Sequence, residues 1–115
     1  MEQSSKTLTF VVPAYNMETY LERCVESLLS ATDNSDIEVL IVDDGSSDST
    51  PELADMYERR WPGNVRAIHQ VNKGHGGAVN TGIANATGMY VKVVDADDWV
   101  DMPSIDTLMG TLRVQ

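Results

Sequence analysis

Apolar residues in this chain come in short continuous runs separated by amphipathic stretches, and the two alternate four times. Thr7 to Pro13 carries Phe10, Val11 and Val12 side by side, which predicts a strand buried on both faces. Pro13 lacks an N–H to give to a ladder and is expected to end that strand. Met17 to Ser30 then repeats at helical spacing, with Asn16 as its N-cap and Glu18 and Glu22 near its positive end. After the polar turn from Thr32 to Asp36, Ile37 to Val42 reads as a second strand. Pro51 suits a first helical turn, so a helix is expected from there to Arg60. Trp61-Pro-Gly-Asn64 breaks it, and Val65 to Val71 forms a third, less apolar strand. Asn72 to Gly77 reads as a glycine-rich loop feeding a helix from Ala78 to Ala86. Gly88 turns the chain into a fourth buried strand, Met89 to Val94, and Pro103 opens a last helix running to Leu112.

Strands alternating with helices imply a parallel sheet with right-handed crossovers and helices on both faces. Ligands of such sheets bind outside the carboxyl ends of the strands. That edge collects Pro13-Ala-Tyr-Asn16, Asp43-Asp-Gly-Ser46, Asn72 to Gly77, and Asp95 to Asp98.

Two of these four segments are acidic strand ends. Asp95, Asp97 and Asp98 crowd the mouth of an apolar strand, where carboxylates repel one another and are costly to desolvate. A hard divalent cation makes such a cluster tolerable, since Mg²⁺ and Mn²⁺ prefer carboxylate oxygen and often carry a ligand's phosphates. In an extended segment Asp95 and Asp97 share one side, so one can reach a metal and the other a sugar hydroxyl. A helix cap needs only one carboxylate, and Asp98 or Asp101 can serve as that. Asp43-Asp44-Gly45 taken alone is a turn with Asx hydrogen bonds. Beside a second acidic strand end, one of its aspartates becomes a candidate acceptor for a nucleobase N–H.

Charge narrows the partners. With 18 acidic and 8 basic residues the net charge is −10, which argues against nucleic acid or an anionic membrane surface. An acidic protein that binds a diphosphate needs a metal or a locally basic loop to invert the field. Lys73 and His75 could approach a diphosphate at the start of a helix, or Lys73 could be a solvated turn lysine. The loop is neither Walker A, because Ile83 follows Gly82, nor the dinucleotide fingerprint, because Val79 stands where a glycine is required.

The 115 residues form one domain, 1–115, burying about two-thirds of the unfolded surface. No apolar run approaches the roughly 18 residues of a membrane span, and the polar start to Lys6 is no signal peptide. A soluble, cytoplasmic chain is therefore expected, with room for membrane association of a longer parent. Cys24, the single cysteine, sits in a helical apolar stripe and reads as a buried thiol. His69 reads as a strand-surface histidine, and two widely spaced histidines without further cysteines make no zinc site.

Phe10-Val-Val-Pro-Ala-Tyr-Asn16, Val42-Asp-Asp-Gly-Ser-Ser-Asp48, Asn72-Lys-Gly-His-Gly-Gly-Ala-Val-Asn-Thr-Gly82 and Val93-Val-Asp-Ala-Asp-Asp98 together resemble, in order and spacing, the start of family 2 glycosyltransferases. The resemblance covers residues 7–103. It implies a GT-A fold, a three-layer α/β/α Rossmann-like and mostly parallel sheet, expected here in strand order 3-2-1-4. It also implies transfer of a sugar from a nucleotide donor, expected to be a UDP-sugar, to an acceptor, generally with inversion, as in cell-wall or polysaccharide biosynthesis. By the same resemblance Pro13, Ala14 and Tyr15 pack against base and ribose, and Asp44 bonds the base. Asp95 and Asp97 match the DxD pair, with Asp95 toward the ribose and Asp97 on Mn²⁺ or Mg²⁺. Two departures stand out: Val79 where many relatives have arginine, and no acceptor-binding half after the DxD helix. The catalytic base is thus expected beyond residue 115, with Asp98 a weak substitute.

Three rivals make different demands. A phospho-acceptor receiver needs its acidic pair after the first strand and a lysine near the last, and none follows Lys92. A sugar nucleotidyltransferase needs a glycine-rich basic loop where Pro13-Ala-Tyr-Asn16 stands. A module that binds the donor without transferring it meets every feature of the sequence.

Overall fold

The computed structural model describes residues 6–114; the polar start at residues 1–5 lies outside them. Its elements are β1 (Lys6–Ala14), α1 (Leu21–Leu28), β2 (Ile37–Asp44), α2 (Thr50–Arg60), β3 (Val65–Gln70), α3 (Gly74–Asn85), β4 (Gly88–Val93) and α4 (Met102–Arg113). The strands form one parallel sheet in the expected order β3-β2-β1-β4. β1 and β2 are central, and their continuous apolar runs are buried on both faces.

One face of the sheet packs α1, α2 and α4 through Leu21, Val25, Leu28, Ala54, Tyr57, Ile105 and Met109. The other face carries a smaller cluster of Val11, Leu40 and Val42 under Ala78 of α3. At Gly82 a Cβ would fall 2.3 Å from a Val11 methyl, so α3 lies against β1 at a distance only glycine permits. A buried carboxylate ties the far end of the sheet together. Glu38 accepts from Thr9 Oγ1 at 2.7 Å, Arg66 Nε at 2.7 Å and the Thr87 N–H at 3.0 Å.

Four local expectations are corrected. Pro13 does not end β1, which continues to Ala14 paired with Asp43. In a parallel strand alternate residues bond opposite neighbours, and Val11, of the same parity as Pro13, accepts the Val94 N–H at its carbonyl where the β4 ladder ends. The missing N–H therefore falls where no partner strand remains.

Asn16 is not an N-cap, and α1 starts at Leu21 rather than Met17. Asn16 takes a left-handed conformation, φ 54°, and its side chain accepts from the Ser47 N–H at 2.8 Å. The N–H groups of Met17 and Glu18 go instead to Thr50 Oγ1 and Asp48 Oδ2, across the gap to the loop after β2.

The glycine-rich segment is already helical from Gly74. Finally, β4 is not a buried strand. Tyr90 packs toward the α1/α4 side, as does Val94 just beyond the strand, but Met89, Val91 and Val93 are 74%, 41% and 37% exposed. These three share the face of Val11, and α3 does not reach over them.

Candidate functional site

All four segments singled out at the carboxyl edge meet around one cleft of about 340 Å³. β1 and the turn after it supply Pro13, Ala14, Tyr15 and Met17. Asp44 comes from the end of β2, and Asn72, Gly74, His75 and Ala78 from the start of α3. Asp95, Ala96 and Asp97 form the remaining wall. The volume lies in the range of small-molecule sites, and the mixture of apolar wall and few polar groups is their usual chemistry.

Asp44 is 3% exposed, and its environment is built around the ionised form. Burial pushes its pKa up, but bonds to Oδ1 from Gln70 Nε2 at 2.9 Å and the Lys73 N–H at 2.7 Å outweigh it, so the carboxyl titrates below its ordinary value. Both bonds fall on one oxygen, and the residue itself lines the cleft. The turn beyond it needs glycine twice over. Gly45 has φ +75°, and a Cβ there would sit 2.8 Å from the backbone nitrogen of Asn72. Asp43 does not line the cleft; its Oδ1 accepts from the Ser46 N–H at 3.0 Å. The pair that looks equivalent in sequence is thus divided between wall and frame.

The DxD segment shows the alternation expected of it. Val94 and Ala96 are buried in the core, at 7% and 2% exposure, and this turns Asp95 and Asp97 outward. Asp95, Asp97 and Asp98 are exposed, and each offers a carboxylate oxygen within 4.8 Å of the others. Hard carboxylate oxygens are the donors a divalent cation takes, so this cluster could hold a metal ion. Asp98 also borders a neighbouring depression with Lys92 and Trp99, outside the cleft that Asp95 and Asp97 line. Trp99 is held at its edge by the Arg23 guanidinium, 3.8 Å from the ring centre.

Beneath this segment lies Cys24, fully buried, its Sγ 3.7 Å from the Asp95 carbonyl oxygen. Burial, then the charges of Asp98, Asp97 and Asp95, push the thiol up to about 12, so it is a neutral packing group as the sequence implied.

Three residues take roles that the sequence did not show. His75 Nε2 lies 3.0 Å from Asp95 Oδ1, so this side chain braces the acidic wall. Lys73 reaches the site by its backbone, while its side chain lies over Gly77 and its ammonium is not among the groups lining the cleft. The third is Gln70, which lies opposite Asp44 in the β2–β3 register. No pattern in a single sequence distinguishes such a residue from any other strand-end glutamine.

The family model described as glycosyl transferase family 2 matches residues 9–113. The chain belongs to that family. The glycosyltransferase EpsJ of Bacillus subtilis, itself described as uncharacterized, is 45% identical over 93 residues, covering 81% of this chain and 26% of EpsJ. Among solved structures, S. aureus TarS 1–349 in complex with UDP-GlcNAc superposes with a TM-score of 0.83 at 26% identity, covering 94% of this chain and 31% of that one. The mannosyltransferase PcManGT from Pyrobaculum calidifontis, in complex with GDP-Man and Mn²⁺, gives 0.78 at 28% identity, covering 91% and 31%. The fold is therefore GT-A. The chain spans only about a quarter to a third of the length of these similar proteins. No helix among the described residues is long and apolar enough to cross a membrane.

Proposed function

We propose that this chain is the donor-binding part of an inverting glycosyltransferase, and that it holds a nucleotide-diphosphate sugar, a UDP-sugar in the first instance, through a divalent metal. The observation that carries the reading is one cleft with a buried, ionised Asp44 on one wall and the paired Asp95 and Asp97 on another. Asp44, held at Oδ1 by Gln70 and the Lys73 N–H and kept charged with help from the Gly74 N–H, accepts a base N–H at the cleft, and a charge-assisted bond of that kind is worth about 1.5–3 kcal/mol. Pro13, Ala14 and Tyr15 pack against base and ribose, and Asp95, steadied by His75, bonds the ribose. Lys73, outside the cleft lining, adds positive charge near Asp44. Asp97, with Asp98 beside it, would hold Mn²⁺ or Mg²⁺. When bound, that ion neutralises the diphosphate and stabilises charge on the leaving nucleotide. TarS bound to UDP-GlcNAc and PcManGT bound to GDP-Man and Mn²⁺ lend support by analogy. Inversion is taken from the family resemblance.

The metal requirement is tested by calorimetric titration of UDP with Mn²⁺ present and with EDTA. Because the acidic edge repels a bare diphosphate, EDTA should cost at least about tenfold in affinity, and Asp97→Ala a similar factor. Equal affinity in all three conditions would remove the metal and the role of Asp97 together.

A further inference from the structure

We propose that His69 is a positioning residue for nucleotide binding: by bridging Asp43 of β2 and Asp55 of α2 it fixes the Asp43–Ser46 turn on which Asp44 is carried. The inference rests on the donor-binding reading above and adds a residue that lies outside the cleft.

The geometry is a two-sided clamp. His69 Nδ1 lies 2.8 Å from Asp43 Oδ2, and Nε2 lies 2.7 Å from Asp55 Oδ1. Asp43 spends its other oxygen on the Ser46 N–H at 3.0 Å. Ser46 Oγ accepts in turn from the Asn16 N–H at 3.0 Å, next to Tyr15 on the cleft wall. One imidazole thereby braces both loops that would meet the base. Two carboxylates facing two ring nitrogens ask for two N–H donors, and only the imidazolium has both. The charged groups facing His69 are Asp43 from β2 and Asp55 from α2. Arg66, on β3 itself, has the opposite parity and bonds Glu38 on the other side. The bond to Asp43, then the bond to Asp55, raise the His69 pKa above its ordinary value of 6.5, while partial burial opposes.

The consequence is directional. Below its raised pKa the ring holds both acids; above it one N–H remains. The Asp43 side chain is 5% exposed and that of Asp55 46%, so the neutral ring keeps Asp43 and releases Asp55 to water. Nucleotide affinity should therefore be highest with His69 charged and decline as the pH rises through its pKa. Asp55→Asn changes this, because a side-chain amide can donate to the neutral Nε2 and keep the bridge closed.

The test uses the 115-residue chain with UDP and Mn²⁺ as probe, from about pH 5.5 to 8.5. NMR should show the His69 ring titrating above 6.5 in the wild type and lower in Asp55→Asn. The Asp55→Asn affinity profile should be flatter than the wild-type one; because UDP itself titrates in this range, only that difference counts. His69→Ala should weaken UDP about tenfold while leaving metal–pyrophosphate binding unchanged. It should also speed hydrogen exchange of the Ser46 amide, a readout that needs no ligand. If the wild type does not bind UDP, the donor-binding reading fails, and unchanged Ser46 exchange in His69→Ala would overturn the clamp separately. Should His69→Ala not fold, the Asp55→Asn profile decides: one parallel to the wild type would overturn the proposal.

Discussion

Asp44 shows how one side chain is readied for a ligand by its neighbours. Gln70 and the Lys73 amide both donate to its Oδ1, fixing the carboxylate plane and favouring its charged state. An amide in its place can still accept those two bonds, but it turns an NH₂ where the carboxylate offered a second oxygen. Asp44→Asn should therefore fold normally by circular dichroism yet bind UDP at least about tenfold more weakly, with metal–pyrophosphate binding retained. Equal loss of both ligands would point to a role in holding the loop rather than reading the base.

Among the elements, α3 depends most on its surroundings. It has no side-chain cap and carries four glycines, Gly74, Gly76, Gly77 and Gly82, so its intrinsic helix propensity is poor. Ala78 and Gly82 instead let its backbone settle on Val11, Leu40 and Val42. That packing sets where Asn72, Gly74 and His75 meet the cleft. Gly82→Val would drive two methyls into Val11 and lift the helix from the sheet, an overpacking cost of about 1–3 kcal/mol. Urea unfolding should show that loss, and nucleotide affinity should fall with it because the α3 start moves. By contrast α4 carries its own start signal. Asp101 caps it by accepting from the Ser104 N–H at 2.8 Å, with Pro103 in the first turn.

The acidic balance of the whole molecule is made tolerable by paired carboxylates. The Arg113 bond, working against burial and aided by Thr7, holds Asp36 down to about 2. At Glu38 burial raises the pKa, but bonds from Thr87, Thr9 and Arg66 outweigh it and leave it below its ordinary 4.5. Groups depressed in the folded state contribute stability that is complete above their unfolded values and is lost as pH falls through the folded ones. Melting temperature should thus hold down to about pH 4.5 and then drop steeply toward about pH 2. A flat profile across that window would contradict the pairing.

At the same scale, the residues given to base, ribose and metal leave no carboxylate among the described residues of the cleft to take a proton from an acceptor hydroxyl, which the inverting transfer proposed above would need. Asp98 borders the neighbouring depression. Residues 1–115 alone should bind donor nucleotide and fail to transfer its sugar. Multiple-turnover glycoside formation from radiolabelled UDP-sugars would reverse this and put Asp98 in the role of base.

What the sequence determined by itself is the alternation of elements, the parallel sheet, and the gathering of Pro13–Tyr15, Asp44, Asp95 and Asp97 at one edge. Those features follow from local periodicity and from the rule that parallel strands deliver their carboxyl ends to the same side. Tertiary structure decided the rest, because each remaining question turned on a partner distant in the chain. Pro13 stays in its strand because β4 ends beside it, and Asn16 caps the loop after β2 rather than its own helix. Gly74 to Gly77 is helical because the sheet supports α3, and Met89, Val91 and Val93 are exposed because α3 does not cover β4. The division of Asp43 from Asp44 is of the same kind. Two identical side chains, adjacent in sequence, face opposite ways from one strand, and only the neighbours they meet, His69 for one and Gln70 for the other, make the first a brace and the second a wall of the cleft.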